Sequence, residues 1–143
     1  MTPESGAGQF EIPSENTLVR WGRQVANCKR HNDRGIMENV RKITRNSQFR
    51  VSGLIPNSSY ASIPGVERDV PRDVCMEAGL YADILFYGSV VDHGLSKRSL
   101  EEIYKHHCVE GIIKTGKSYG MKSEEDSIKV LSYYLQRVAG DFS

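Results

Sequence analysis

The sequence predicts a mainly α fold: a compact bundle of about five helices with a short irregular or β-hairpin insert near residues 48–66. Three observations carry that expectation. Apolar residues return at helical spacing in several separate stretches. Ser, Asn or Asp stands before four of these stretches, where a helix N-cap belongs. Between Gln48 and Gly65 the pattern breaks, with Pro56, Pro64, a serine-rich middle and short β-prone pieces.

The elements follow in order. Residues 1–15 are rich in Gly, Ser, Pro and Glu without periodicity and read as a flexible arm, leaving 16–143 as a single helical domain. The first helix opens at Ser14 or Asn16, with Leu18, Trp21, Val25 and Cys28 on one face. The turn residues of "HNDRG", His31 to Gly35, end it. Ile36, Val40 and Ile43 stripe a second helix that runs to about Arg45. A third is expected from Asp69 as N-cap, with Pro71 in its first turn, to about Asp92, closed by Gly94. "SLEE", Ser99 to Glu102, reads as a capping box for a fourth helix with Leu100, Ile103, Tyr104 and His107 on a shared face. Ser123 caps the last, striped by Ile128, Leu131, Leu135 and Val138.

A chain of 143 residues, 38% apolar and 26% charged, is long enough for one buried core. Three cysteines, Cys28, Cys75 and Cys108, make an odd number without regular spacing, which argues against a disulfide framework. The first residues have neither a basic start nor an apolar run, so no signal peptide is expected. The most apolar run, Val74 to Val91, carries Glu77 and Asp83 inside it and reads as a buried helix, not a membrane span. An intracellular, reducing compartment is the expectation.

The net charge of +1 conceals a split. Between Arg20 and Arg50 stand Arg20, Arg23, Lys29, Arg30, Arg34, Arg41, Lys42, Arg45 and Arg50, opposed only by Asp33 and Glu38, a net +7. The rest of the chain carries ten basic and sixteen acidic residues, a net −6. Seven of the nine basic residues are arginine, whose planar fork suits phosphate and stacks on bases. At helical spacing they fall opposite the apolar stripes and would present a positive face to a polyanion. The expected function is nucleic-acid binding, RNA or single-stranded DNA, mostly through the phosphate backbone. The alternative is a non-enzymatic interaction module, with a protein partner or a homo-oligomer held by complementary basic and acidic surfaces.

"GIIKTGKS", Gly111 to Ser118, fits the phosphate-cradling pattern G-x-x-x-x-G-K-[ST]. That loop needs a buried strand before it and further strands after it, one ending in an Asp for magnesium. The preceding "EEIYKHHCVE" has helical spacing and is too polar for such a strand. The match reads as chance, with Gly116 as a helix C-cap and Lys114 and Lys117 suiting the negative helix end. These two lysines remain candidates for additional phosphate contacts.

Cys28 and His31 have ligand-like spacing, and "HHC", His106 to Cys108, could complete a Cys2His2 set, but the two halves form no known zinc-finger spacing. Cys75 or Cys108 could pair with His93, His106 or His107 as nucleophile and base, and Cys75, early in a helix, is placed where a thiolate is favoured. No nucleophile elbow or paired-carboxylate signature accompanies them. No catalytic residue, metal or cofactor is expected.

Overall fold

A computed structural model of the chain describes residues 11–26, 33–46, 55–90 and 94–141. The helices are α1 (Glu15–Ala26), α2 (Asp33–Asn46), α3 (Arg72–Val90), α4 (Lys97–Ile103), α5 (Glu110–Ser118) and α6 (Glu124–Asp141). A π-helical stretch, Tyr104–Val109, joins α4 to α5, and the residues at both joins keep right-handed helical dihedrals. The fold is therefore a mainly α bundle of five helical rods.

Helix starts follow side-chain capping. Ser14 Oγ accepts from the Thr17 N–H at 3.2 Å and opens α1, and Ser123 Oγ accepts from the Asp126 N–H at 3.2 Å and opens α6. Two expected starts are corrected. The fourth rod begins three residues before the expected box: Ser96 Oγ accepts from the Ser99 N–H at 3.1 Å, and Leu100 N–H reaches the Ser96 carbonyl. Ser96 stands three residues before Ser99, so the same reach is available one turn earlier. The third helix begins at Arg72, because Val70 and Pro71 are held in a strand instead.

That strand, β2 (Val70–Pro71), pairs antiparallel with β1 (Tyr60–Ala61), Tyr60 opposite Pro71 and Ala61 opposite Val70. The expected insert is thus a short hairpin whose second strand lies beyond Gly65; residues 47–54 lie outside the described ones. Val70 is fully buried, which fixes the register. Arg72 ties the insert to α3, its N–H bonded to the Ser59 carbonyl and its Nε to the Pro56 carbonyl at 2.8 Å.

Helix α3 is apolar nearly all round, with Val74, Cys75, Ala78, Ala82 and Leu85 fully buried, as a central helix must be. Helix α6 packs along it in the most extensive contact of the fold, presenting Ile128, Leu131, Leu135 and Val138. Helix α1 lays Leu18, Trp21 and Val25 against α6 and the π stretch, while α2 lays Ile36, Val40 and Ile43 against α4 and α3. Tyr104 is the joint between them. It is wholly buried, shares a 2.9 Å hydrogen bond with Ser89 Oγ, and stacks on Trp21 with ring centroids 5.8 Å apart. No helix among the described residues is long and apolar enough to cross a membrane.

The eight residues of "GIIKTGKS" lie inside the α5 rod. Their N–H groups are spent on helix bonds and cradle nothing. The glycines answer to packing. A Cβ at Gly111 would stand 2.5 Å from the Tyr81 hydroxyl of α3, and one at Gly116 would collide with Ser127 Oγ of α6. Gly116 is not the C-cap glycine expected of it. Helix α5 runs on to Ser118, and Gly120, at φ 89°, closes it in a Schellman motif: Met121 N–H bonds the Gly116 carbonyl at 2.8 Å and Gly120 N–H the Lys117 carbonyl at 3.2 Å.

Candidate nucleic-acid interface

Helical geometry decides where the basic side chains go. At 3.6 residues per turn, Arg34, Arg41 and Arg45 of α2 fall within about 40° of one another and opposite Ile36, Val40 and Ile43. All three arginines are exposed and the three apolar residues are buried. Lys42 is exposed on the flank of the same face, and Glu38 lies within it. On α1, Arg20 and Arg23 are exposed opposite buried Leu18, Trp21 and Val25. Lys29, Arg30 and Arg50 lie outside the described residues.

Among the described residues, no carboxylate comes within 4.0 Å of the guanidinium of Arg20, Arg34, Arg41 or Arg45. The ion pairs found there lie elsewhere, on the α5 rod: Lys114 with Glu110 at 3.4 Å, Lys117 with Glu124 at 2.7 Å, and His106 with Glu110 at 3.7 Å. Lys114 and Lys117, the two additional phosphate candidates, are therefore exposed but shared with acids. Helix α5 touches α1, whereas α2 packs on α4, the far end of the same rod, and on α3.

The fold adds one cation that spacing did not reveal. Lys97, at the start of α4, lines a shallow cleft of about 440 Å³ with Arg20 of α1. The hydroxyl residues Ser14 and Thr17 line it too, together with two acids, Glu11 and Glu101. Trp21 borders the cleft but is only 5% exposed, pressed between Tyr104 and the Lys105 ammonium, which lies 5.8 Å from its ring centroid. It anchors α1 and is no stacking platform.

The π stretch gathers a second polar group. His107 meets Tyr81 edge-on at 5.4 Å. Burial pushes the imidazole below its ordinary pKa, and nearby Glu77 offsets part of that. Burial, and then the Glu77 charge, push the Tyr81 phenol up. Both groups are therefore uncharged near neutral pH. The thiols are equally quiet: Cys75 and Cys108 are buried and free, and burial raises both. For Cys75 this corrects the expectation of a favoured thiolate. Desolvation outweighs the start of the helix and its hydrogen bond with Tyr134. Cys28, His31 and His93 lie outside the described residues. Among the described residues, no three His, Cys, Asp or Glu side chains are grouped to hold a metal ion.

Comparison of the chain with family models, with curated proteins and with solved structures finds no match in any of the three.

Proposed function

We propose that the chain binds nucleic acid, RNA or single-stranded DNA, through backbone phosphates met by the exposed arginines of α1 and α2. One observation carries the reading: Arg20, Arg34, Arg41 and Arg45 face solvent on α1 and α2, and none of them has an acid within 4.0 Å among the described residues. A guanidinium held out without an internal partner is available for phosphate, and arginine makes the bidentate form of that contact. The Arg20–Lys97 cleft offers a second place for the strand. Contacts of this kind give affinity with little sequence preference.

The test is fluorescence anisotropy of labelled single-stranded RNA and DNA over a salt series. Three phosphate contacts predict a log–log salt slope of about −2, at roughly −0.7 per contact. Arg41→Glu with Arg45→Glu should reduce the affinity and flatten the slope. Unchanged binding by that double variant would remove the reading's support.

Self-association is the second reading. The first turn of α6 carries Glu124, Glu125 and Asp126, an acidic end that a neighbour's α2 could meet. It predicts an oligomer that dissociates as salt rises. A monomer at high protein concentration and low salt would rule it out.

A further inference from the structure

A different surface carries an inference of its own. Between the β1–β2 hairpin and the α5–α6 turn lies a cleft of about 370 Å³, a volume suited to a small ligand. Two tyrosines line it, Tyr60 at 59% exposure and Tyr119 at 49%, two of the five exposed large apolar side chains among the described residues. Each has its backbone fixed. Tyr60 sits in the two-stranded ladder opposite Pro71, and Ser58 Oγ donates to its carbonyl at 2.6 Å. Tyr119 is the C-cap of α5, its backbone held by the Schellman turn, and the nearby Asp73 charge pushes its phenol pKa up. Rings left in water on a fixed backbone are platforms for a flat apolar face.

The charged groups of the cleft come in both signs. Arg68 and Lys122 supply cations, and Asp69 and Asp126 supply carboxylates. None of the four reaches an opposite charge within 4.0 Å among the described residues. With both signs present, the carboxylates disfavour a bare phosphate and the cations disfavour a bare cation, and neither of those would use the rings. A nucleotide uses all three features: a base to stack, a phosphate for Arg68 or Lys122, and ring N–H groups for a carboxylate.

We propose that this cleft binds a guanine nucleotide. The base stacks on Tyr60 and Tyr119, and the phosphate meets Lys122 and Arg68. Asp126 or Asp69 accepts from the base edge. Guanine is selected because its edge presents adjacent N–H donors that match the two oxygens of one carboxylate, whereas adenine offers only its amino group. The shared chemistry has two sources, a free mononucleotide or an unpaired guanine within a strand. The site is separate from the α2 arginines and stands whether or not those bind phosphate.

The test is isothermal titration of the full chain, at low salt, with GMP, AMP, CMP and UMP. Alongside it, a uridine decamer is compared with the same decamer carrying one guanine. GMP binding ahead of the other three identifies free nucleotide as the source. A guanine-dependent gain with the decamer alone identifies the strand. In either case Tyr60→Ala or Tyr119→Ala should weaken binding about tenfold, as removal of one stacking ring does. Tyr60→Trp should retain it, and Asp126→Asn with Asp69→Asn should erase the guanine preference. Arg41→Glu with Arg45→Glu should leave GMP binding untouched, while weakening both decamers alike if the α2 reading holds. Circular dichroism of each variant checks that it is folded. No guanine preference in either arm, or a preference that survives loss of both tyrosines and both carboxylates, overturns the proposal.

Discussion

Gly116→Ala puts the close approach of α5 to α6 to a numerical test. Two effects of opposite sign compete. Alanine in a helix interior gains about 0.8–1.0 kcal/mol over glycine in propensity. The new Cβ, however, would overlap Ser127 Oγ and stand 3.2 Å from Ser127 Cβ and 3.5 Å from Met121 Cβ. Ser127 is 1% exposed and has nowhere to go. Overpacking costs about 1–3 kcal/mol; a Cβ set down on a buried side chain belongs in the upper half of that range, about 2–3 kcal/mol, so the net loss should be about 1–2 kcal/mol. At roughly 2–4 °C per kcal/mol for a chain near this size, the melting temperature should fall by about 2–8 °C. Thermal and urea melts followed by circular dichroism read it directly. Gly140→Ala in α6 is the control: its Cβ would meet nothing within 4 Å, so the same substitution should be neutral or stabilising. Adding Ser127→Ala to Gly116→Ala should recover part of the loss, as expected for residues in contact. A Gly116→Ala protein as stable as the wild type would mean that the two helices are not so close, and that the second glycine of "GIIKTGKS" needs another explanation.

The other expectations are as direct. His107 is neutral in the fold, while the unfolded chain protonates it near its ordinary value of 6.5. Its contribution to stability is whole above that pH and is lost as the pH falls through the lower folded value. His107→Gln should therefore flatten the decline of melting temperature between pH 7.5 and 5, and an unchanged profile would refute the assignment. With Cys28 replaced by Ser, a thiol reagent at pH 8 should find no reactive thiol in the native protein and two after denaturation, because Cys75 and Cys108 are buried. Ser96→Ala should cost about 0.5–2 kcal/mol as the loss of an N-cap, whereas Ser99→Ala should cost less, contrary to what the "SLEE" pattern alone would say.

Helix faces were legible because a repeat near 3.6 residues separates inward from outward positions without any tertiary information. Leu18, Val40, Ile43, Leu131 and Leu135 all lie inside as their spacing requires. Helix starts were less so. Several serines and aspartates compete to cap, and the winner depends on which backbone is already held. Asp69 lost because Val70 is buried against Ala61 in a strand. The π stretch had no signal at all. An extra residue in the turn brings Tyr104, Cys108 and Val109 all inward, a pattern that straight helical spacing cannot express. The same limit applies to the surfaces. The arginine face of α2 could be read from one helix, but the company of Lys97 with Arg20, and of Tyr60 with Tyr119, exists only once distant segments pack.

The two features that stand out in the sequence therefore part ways. The glycines of α5 are accounted for inside the fold, since each gives a neighbouring helix room. Arg34 and Arg41 of α2 are not, because no acid among the described residues pairs with their charge. This difference has a measurable form. If the charges serve the fold, removing them should unfold it; if they serve a ligand, stability should hardly change. Arg34→Gln with Arg41→Gln keeps two long polar helix formers in place and discards only charge. Exposed substitutions of this sort fall within about 0.5 kcal/mol each, so the pair should shift the melting temperature by no more than roughly 4 °C. Arg45 is left alone because a cation in the last turn of α2 also offsets the helix dipole. A loss of several kcal/mol would give the stripe a structural role and end its use as an argument for function, whereas unchanged stability with weakened binding to single strands would place its purpose outside the chain.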